Sequence, residues 1–138
     1  MKKLLMIADD EKMVRIVSQY LMKHDYNVTA LNGIDMAGPD IKNIEIILME
    51  RKGPDQNDEE VLGRIRAVSN VPVIMLDRKN DVKTRVWFLE NGADDYLSAP
   101  FTMEEVDARI KVILRRVKEI NRAKRQMVYE IRKHYHLP

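Results

Sequence analysis

The chain is 138 residues long, enough for one compact domain with a substantial core and at most one appended element. It has no cysteine, which excludes a disulfide framework and thiolate chemistry. The apolar run Leu4 to Ala8 is too short for a signal-peptide core and no long apolar stretch follows, so a cytoplasmic protein that does not enter a membrane is expected. Charge is unevenly placed: Met1 to Ile110 holds 15 basic and 20 acidic side chains, Lys111 to Pro138 holds 9 basic and 2 acidic. The body is acidic and the tail basic.

Leu4 to Ala8 is apolar throughout, as a strand covered on both faces is. Lys12 to Lys23 then places Met13, Ile16, Val17, Tyr20 and Leu21 at helical spacing, and Tyr26 to Leu31 is a second strand. Gly38-Pro39 interrupts the second helix, which starts near Ile34 and is expected to be short or frayed. Strands over Ile44 to Met49 and Val71 to Leu76 flank a helix over Glu59 to Val68. A helix over Val82 to Asn91, closed by Gly92, precedes the last strand, Asp95-Tyr96-Leu97. In the fifth helix, Ile110, Ile113, Val117, Ile120, Met127 and Ile131 follow a heptad with Lys124 at one core position. Alternating strands and helices predict an α/β fold, a doubly wound five-stranded parallel sheet.

In such a sheet the functional crevice lies at the carboxyl ends of the strands. Asp9 and Asp10 end the first strand, Glu50 the third and Asp77 the fourth, while Ser98-Ala99-Pro100 follow the fifth. Four carboxylates are therefore expected on one rim. The plainer alternative for any one of them is that it caps the helix that follows.

The segments LLMIADDE, EIILMERKGPDQNDEEVLGRIR, VPVIMLDRKND and GADDYLSAPFTMEEV resemble the receiver domain of response regulators, the CheY-like, flavodoxin-like (βα)5 fold, over residues 2 to about 116. The resemblance implies an acidic pair that holds Mg²⁺, matched by Asp9 and Asp10. It also implies an aspartate that accepts a phosphoryl group, a Thr or Ser that contacts it and a Lys that neutralises it. Those three positions are Glu50, Asp77 and Ala99, all altered, while Tyr96 occupies the switch-aromatic position. Pro54, Glu60, Val61, Leu62, Gly92, Pro100 and Phe101 agree with the family pattern.

An added methylene moves the attacking oxygen of Glu50 by about a bond length, enough to cost orders of magnitude in rate. Ala99 removes the cation that would offset charge on the transferring group, and Asp77 adds a negative charge where a hydroxyl donor belongs. The site is therefore expected to be a degenerate, non-phosphorylatable rim with no catalytic residue. Its crowded carboxylates need compensation. A divalent cation such as Mg²⁺ on Asp9, Asp10 and Glu50, an inward-folded Arg51, Lys52 or Arg78, and a retained proton on Asp77 or Glu50 compete. Internal cations are favoured, so no cofactor is required. In the family the backbone carbonyl at the Lys52 position is a metal ligand.

The resemblance narrows to receivers that precede winged-helix DNA-binding domains, the OmpR/PhoB type, which dimerise through the fourth helix, fifth strand and fifth helix. Matching positions pair Arg85 with Glu105, Asp95 with Arg109 and Asp94 with Arg116 around Val86, Leu89 and Ala108. Isolated surface pairs contribute about 0–1 kcal/mol each, so it is the self-complementary set that points to a homodimer. Residues 1–116 are expected to form the receiver-like domain and 117–138 a basic helical extension. Beyond Arg116 the apolar stripe needs a partner, either a second helix in a coiled coil or an output domain or partner protein. Direct nucleic-acid binding is disfavoured, since the basic tail lacks a helix-turn-helix or winged-helix pattern. The expected function is a phosphorylation-independent, non-enzymatic signalling module of a transcriptional response regulator. The competing class is a conventional phosphorelay receiver or a metal-dependent site at the rim.

Overall fold

In a computed structural model, residues 1–32 and 41–138 are described. The expected second helix around Ile34 and its Gly38-Pro39 interruption lie outside the described residues. The apolar runs become five strands, β1 (Lys2–Ile7), β2 (Tyr26–Leu31), β3 (Ile46–Glu50), β4 (Val73–Asp77) and β5 (Asp95–Ser98). Between and after them come α1 (Glu11–Met22), α2 (Asp58–Val68), α3 (Val82–Glu90) and α4 (Met103–His134). The helices counted fourth and fifth in the sequence are thus α3 and α4.

All strands pair in parallel, in the order β2-β1-β3-β4-β5. Because side chains alternate along a strand, each apolar run feeds two cores. Leu4, Met6, Ile46, Leu48, Ile74 and Leu76 pack with Val17 and Leu21 of α1 and with Val106, Ile110 and Ile113 of α4. Leu5, Ile7, Ile47, Met49, Val73 and Met75 pack on the opposite face with Val61, Leu62 and Ile65 of α2 and Phe88 of α3. Every residue of β3 and β4 is buried, which explains their unbroken hydrophobicity. Of the apolar residues at helical spacing in α1, Ile16 is about half exposed, because the inward stripe runs through Val17 and Leu21.

Short polar side chains cap the starts of α1, α3 and α4. Asp10 accepts from the amides of Lys12 and Met13, Asp81 from that of Lys83, and Thr102 from that of Glu105, each satisfying an otherwise orphaned donor. After α3 the chain turns at Gly92, with φ +121°, and its carbonyl receives two hydrogen bonds from Arg66, at 2.8 and 2.6 Å. A Cβ there would meet the Arg66 side chain at 3.1 Å.

The last helix runs unbroken for 32 residues. Tyr26 of β2 donates to buried Asp107 at 2.7 Å, tying the sheet edge to this helix. Burial ends at Ile113; Val117 is half-buried, and Ile120, Met127, Val128, Ile131 and Tyr135 are exposed. At its end, His136 adopts φ +55° and the Leu137 amide bonds back to the Arg132 carbonyl at 2.9 Å, a built left-handed stop.

Candidate functional site: an acidic rim closed by its own cations

Parallel register brings the strand ends to one edge: Ile7 lies beside Met49, Glu50 beside Leu76 and Asp77 beside Ser98. There a shallow recess of about 380 Å³ is lined by Asp9, Asp10, Glu50, Lys52 and Arg78, among others. Glu50 is only 5 % exposed. Its Oε1 accepts from the backbone amides of Asp9 at 3.1 Å and Asp10 at 3.4 Å. Burial pushes its carboxyl above the usual range, as do the Asp9 and Asp58 carboxylates, while the Asp9 amide and Lys52 pull it down; the net direction is upward.

Two of the three flanking basic residues close the recess. Lys52 Nζ lies 3.0 Å from Asp9 Oδ2. Arg78 forms an ion pair with Asp10, and its Nη2 lies 3.8 Å from Glu50 Oε2. Of the three candidate counter-ions, Arg51 also lines the recess, but its guanidinium is directed away from Asp9, Asp10 and Glu50. Its guanidinium bonds Asp58 at 2.9 Å and Glu59 at 2.8 Å and stacks over the Phe88 ring at 5.0 Å. The cause is Asp58, a residue the sequence analysis did not single out. Buried at the start of α2, it also accepts from the amides of Lys52 and Gly53, at 2.9 and 3.1 Å, and so needs a cation of its own. Its legible signal was the acidic first turn of α2, read there only as part of a family motif.

The fourth carboxylate is buried but does not line the recess. Asp77 Oδ2 accepts from the Tyr96 hydroxyl at 2.5 Å, and its Oδ1 from the Lys79 amide at 2.9 Å. This corrects the expectation of four converging side chains: three meet, and Asp77 instead holds Tyr96 inward. Burial first, and then the Asp77 carboxylate, push the Tyr96 phenol upward. The Tyr96 ring lies 5.9 Å from that of Phe88, joining β5 to α3 behind the rim. Ala99 supplies no charge; its amide donates to the Asp77 carbonyl at 2.7 Å, and its bond to Pro100 is cis.

The fold family implies Mg²⁺ at this rim. Hard carboxylate oxygens are present, but Asp9 Oδ2 faces Lys52, Asp10 uses Oδ1 as a helix cap and Oδ2 for Arg78, and Glu50 Oε1 is held by backbone amides. Among the described residues no three carboxylate or imidazole groups are grouped to surround one ion. As arranged, the residues do not fit a divalent cation.

The expected dimer face is exposed on α3, β5 and α4. Val86 and Leu89 are each more than two-fifths exposed, and Ala108, Glu105 and Arg116 are open to solvent. Four of its six charges have partners within the chain: Arg109 reaches Asp95 at 3.6 Å, Arg85 bonds Asn80 at 2.7 Å, and Asp94 bonds Arg66 at 2.9 Å and the Val73 amide at 2.8 Å. Phe88 is fully buried, whereas its neighbour Trp87 is 41 % exposed.

The response regulator receiver domain family matches residues 4–111. The chain is 41 % identical over 117 residues to a transcriptional regulatory protein CpxR homolog of Haemophilus influenzae, covering 84 % of this chain and 52 % of that protein. It is 33 % identical over 118 residues to the response regulator ArlR of Staphylococcus aureus, covering 84 % and 54 %. The chain therefore spans about half the length of the curated relatives it matches. Among solved structures, a two-component response regulator from Clostridium difficile superposes with a TM-score of 0.77 at 25 % identity, covering 85 % of this chain and 98 % of that one. The extent of the family match and the identity to these regulators establish that this chain belongs to the response regulator receiver domain family.

Proposed function

We propose that this receiver domain signals without phosphorylation, as a cytoplasmic dimerisation module of a transcriptional response regulator. It is not an enzyme and requires no cofactor. Residues 1–116 are the module, residues 117–138 are its helical extension, and the α3–β5–α4 face joins two copies. An output domain or partner protein is reached through α4. The relatives named as a transcriptional regulatory protein and a response regulator support the coarse role. The observation that carries the finer one is that Lys52 and Arg78 lie on the carboxylates where a metal-held phosphoryl group would sit.

The rim's electrostatics agree. A receiving site needs a free carboxylate, a cation beside it and a hydroxyl donor. Here the carboxylate is an amide-bound Glu50, the cation position is Ala99, and the hydroxyl position is an acceptor already used by Tyr96. With Tyr96 held inward by Asp77, the aromatic switch position is fixed from inside the chain.

Incubation with acetyl phosphate and Mg²⁺, followed by intact mass measurement, is expected to show no added phosphoryl mass. The triple variant Glu50→Asp, Asp77→Thr, Ala99→Lys supplies a positive control for the scaffold. A labile phosphoryl adduct on the unaltered chain would overturn the proposal in favour of a conventional phosphorelay receiver.

A further inference from the structure

Beyond the globular body, α4 continues as a free rod over residues 117–134, about 27 Å at 1.5 Å per residue. Its stripe of half-buried Val117 and exposed Ile120, Met127 and Ile131 continues the spacing of Ile110 and Ile113, which are buried against the sheet. The stripe therefore faces the side on which the sheet lies, just past the amino ends of the strands. At that corner is a groove of about 900 Å³ whose apolar wall is Ile41, Ile44, Val71, Pro72, Leu114 and Val117. The groove and the stripe share Val117.

We propose that two copies pair antiparallel along residues 117–134, and that the Tyr135–Leu137 tip of each seats in the groove of the other. Three observations select this occupant.

The first is periodicity. A strict three-four spacing from Ile110 through Lys124 to His134 is the repeat that keeps a partner helix in phase over several turns. On the same repeat, Arg122, Arg125 and Arg132 fall off the stripe on the outer side of the rod, all exposed, while Lys111, Arg115 and Lys118 border the groove. The three arginines thus point away from a second copy's rod. Within the stripe, Lys124 is the lone cation.

The second is direction. In a parallel pairing, the second copy's α4 would extend upward beside residues 110–113, where the first copy's own sheet already sits. In an antiparallel pairing the second helix ends there. Setting Val117 against His134 of the second copy also sets Ile120 against Ile131, and Lys124 against Met127. The two free rods then match over their whole lengths with no overhang, and no layer holds two lysines.

The third is the tip. The left-handed stop at His136, with the Leu137 amide bonded to Arg132, gives the rod a defined end with Tyr135 and Leu137 both more than half exposed. In this register Leu137 of the second copy lies level with Leu114, in the groove wall.

This surface is separate from the α3–β5–α4 face and stands or falls without it. The test uses the full-length chain carrying Val86→Asp and Leu89→Asp, so that the α3 face cannot contribute. Light scattering is expected to give a dimer, and adding Ile120→Asp with Ile131→Asp a monomer with unchanged β-sheet signal. A monomer before that addition, or a dimer after it, overturns the inference. Energy transfer fixes direction: donor on Lys118→Cys and acceptor on Lys133→Cys of separate chains should be close. Two Lys118→Cys labels should be offset by roughly 22 Å along the rod. The reverse pattern means a parallel coil and overturns the antiparallel assignment. A chain ending at Arg116 tests the other face alone; if it is monomeric, the α3–β5–α4 dimer fails and the rod pairing does not.

Discussion

Glu50 is a buried acid held above its usual carboxyl range chiefly by burial, so its native form keeps a proton to higher pH than the unfolded chain does. Stability from that proton is full below the unfolded carboxyl value, about 4.3, and is lost as pH rises through the folded value. Glu50→Gln, permanently neutral, should therefore raise the urea midpoint at pH 7.5 and leave it nearly unchanged at pH 4. An equal gain at both would show that charge desolvation is not the cause. The cations make a second claim. Calorimetric titration with Mg²⁺ should give no stoichiometric binding to the unaltered chain, whereas Lys52→Ala with Arg78→Ala should bind Mg²⁺ measurably by uncovering Asp9 and Asp10. At this scale the sequence revealed which residues meet but not which way each turns. Asp9, Asp10, Glu50, Lys52 and Arg78 were legible because strand ends converge. Arg51 was not, because its direction is set by buried Asp58 and the Phe88 ring, neither of which periodicity exposes.

Among the described elements, strands and helices followed the apolar runs to within a residue or two, because the parallel sheet buries its central strands on both faces. What patterning could not supply were the clasps between elements. Arg66 ties the end of α2 to the turn before β5 through the Gly92 carbonyl and the Asp94 carboxylate, and to the approach to β4 through the Val71 carbonyl. Tyr26 and Asp107 tie edge strand β2 to α4 across 81 positions of sequence. Burial pushes Asp107 up, but the Tyr26 hydroxyl and Lys111 outweigh it and hold the carboxyl below its usual range. Tyr26→Phe leaves that carboxylate short of a partner in a buried place, and should cost about 1–3 kcal/mol in chemical denaturation. The loss should fade as acid protonates Asp107 through its lowered native value, because the bond's contribution is present above the unfolded carboxyl range and disappears below it.

For the molecule as a whole, the division into an acidic body and a basic rod was plain from the residue counts, and the stripe from its spacing. The side the stripe faces was not, since only the packing of Ile110 and Ile113 fixes the rotation of the helix about its axis. That separation of charge makes ionic strength a discriminator. A face built on opposite charges, such as Arg85, Glu105, Asp95 and Arg109, loosens as added salt shortens the range of attraction to about 8 Å at 0.15 M. Two rods laid side by side form one cationic shaft, and its apolar seam must hold against mutual repulsion. The same salt relieves that repulsion, so sedimentation at rising KCl should show the shaft tightening while the charged face weakens, one molecule answering a single ion in two directions.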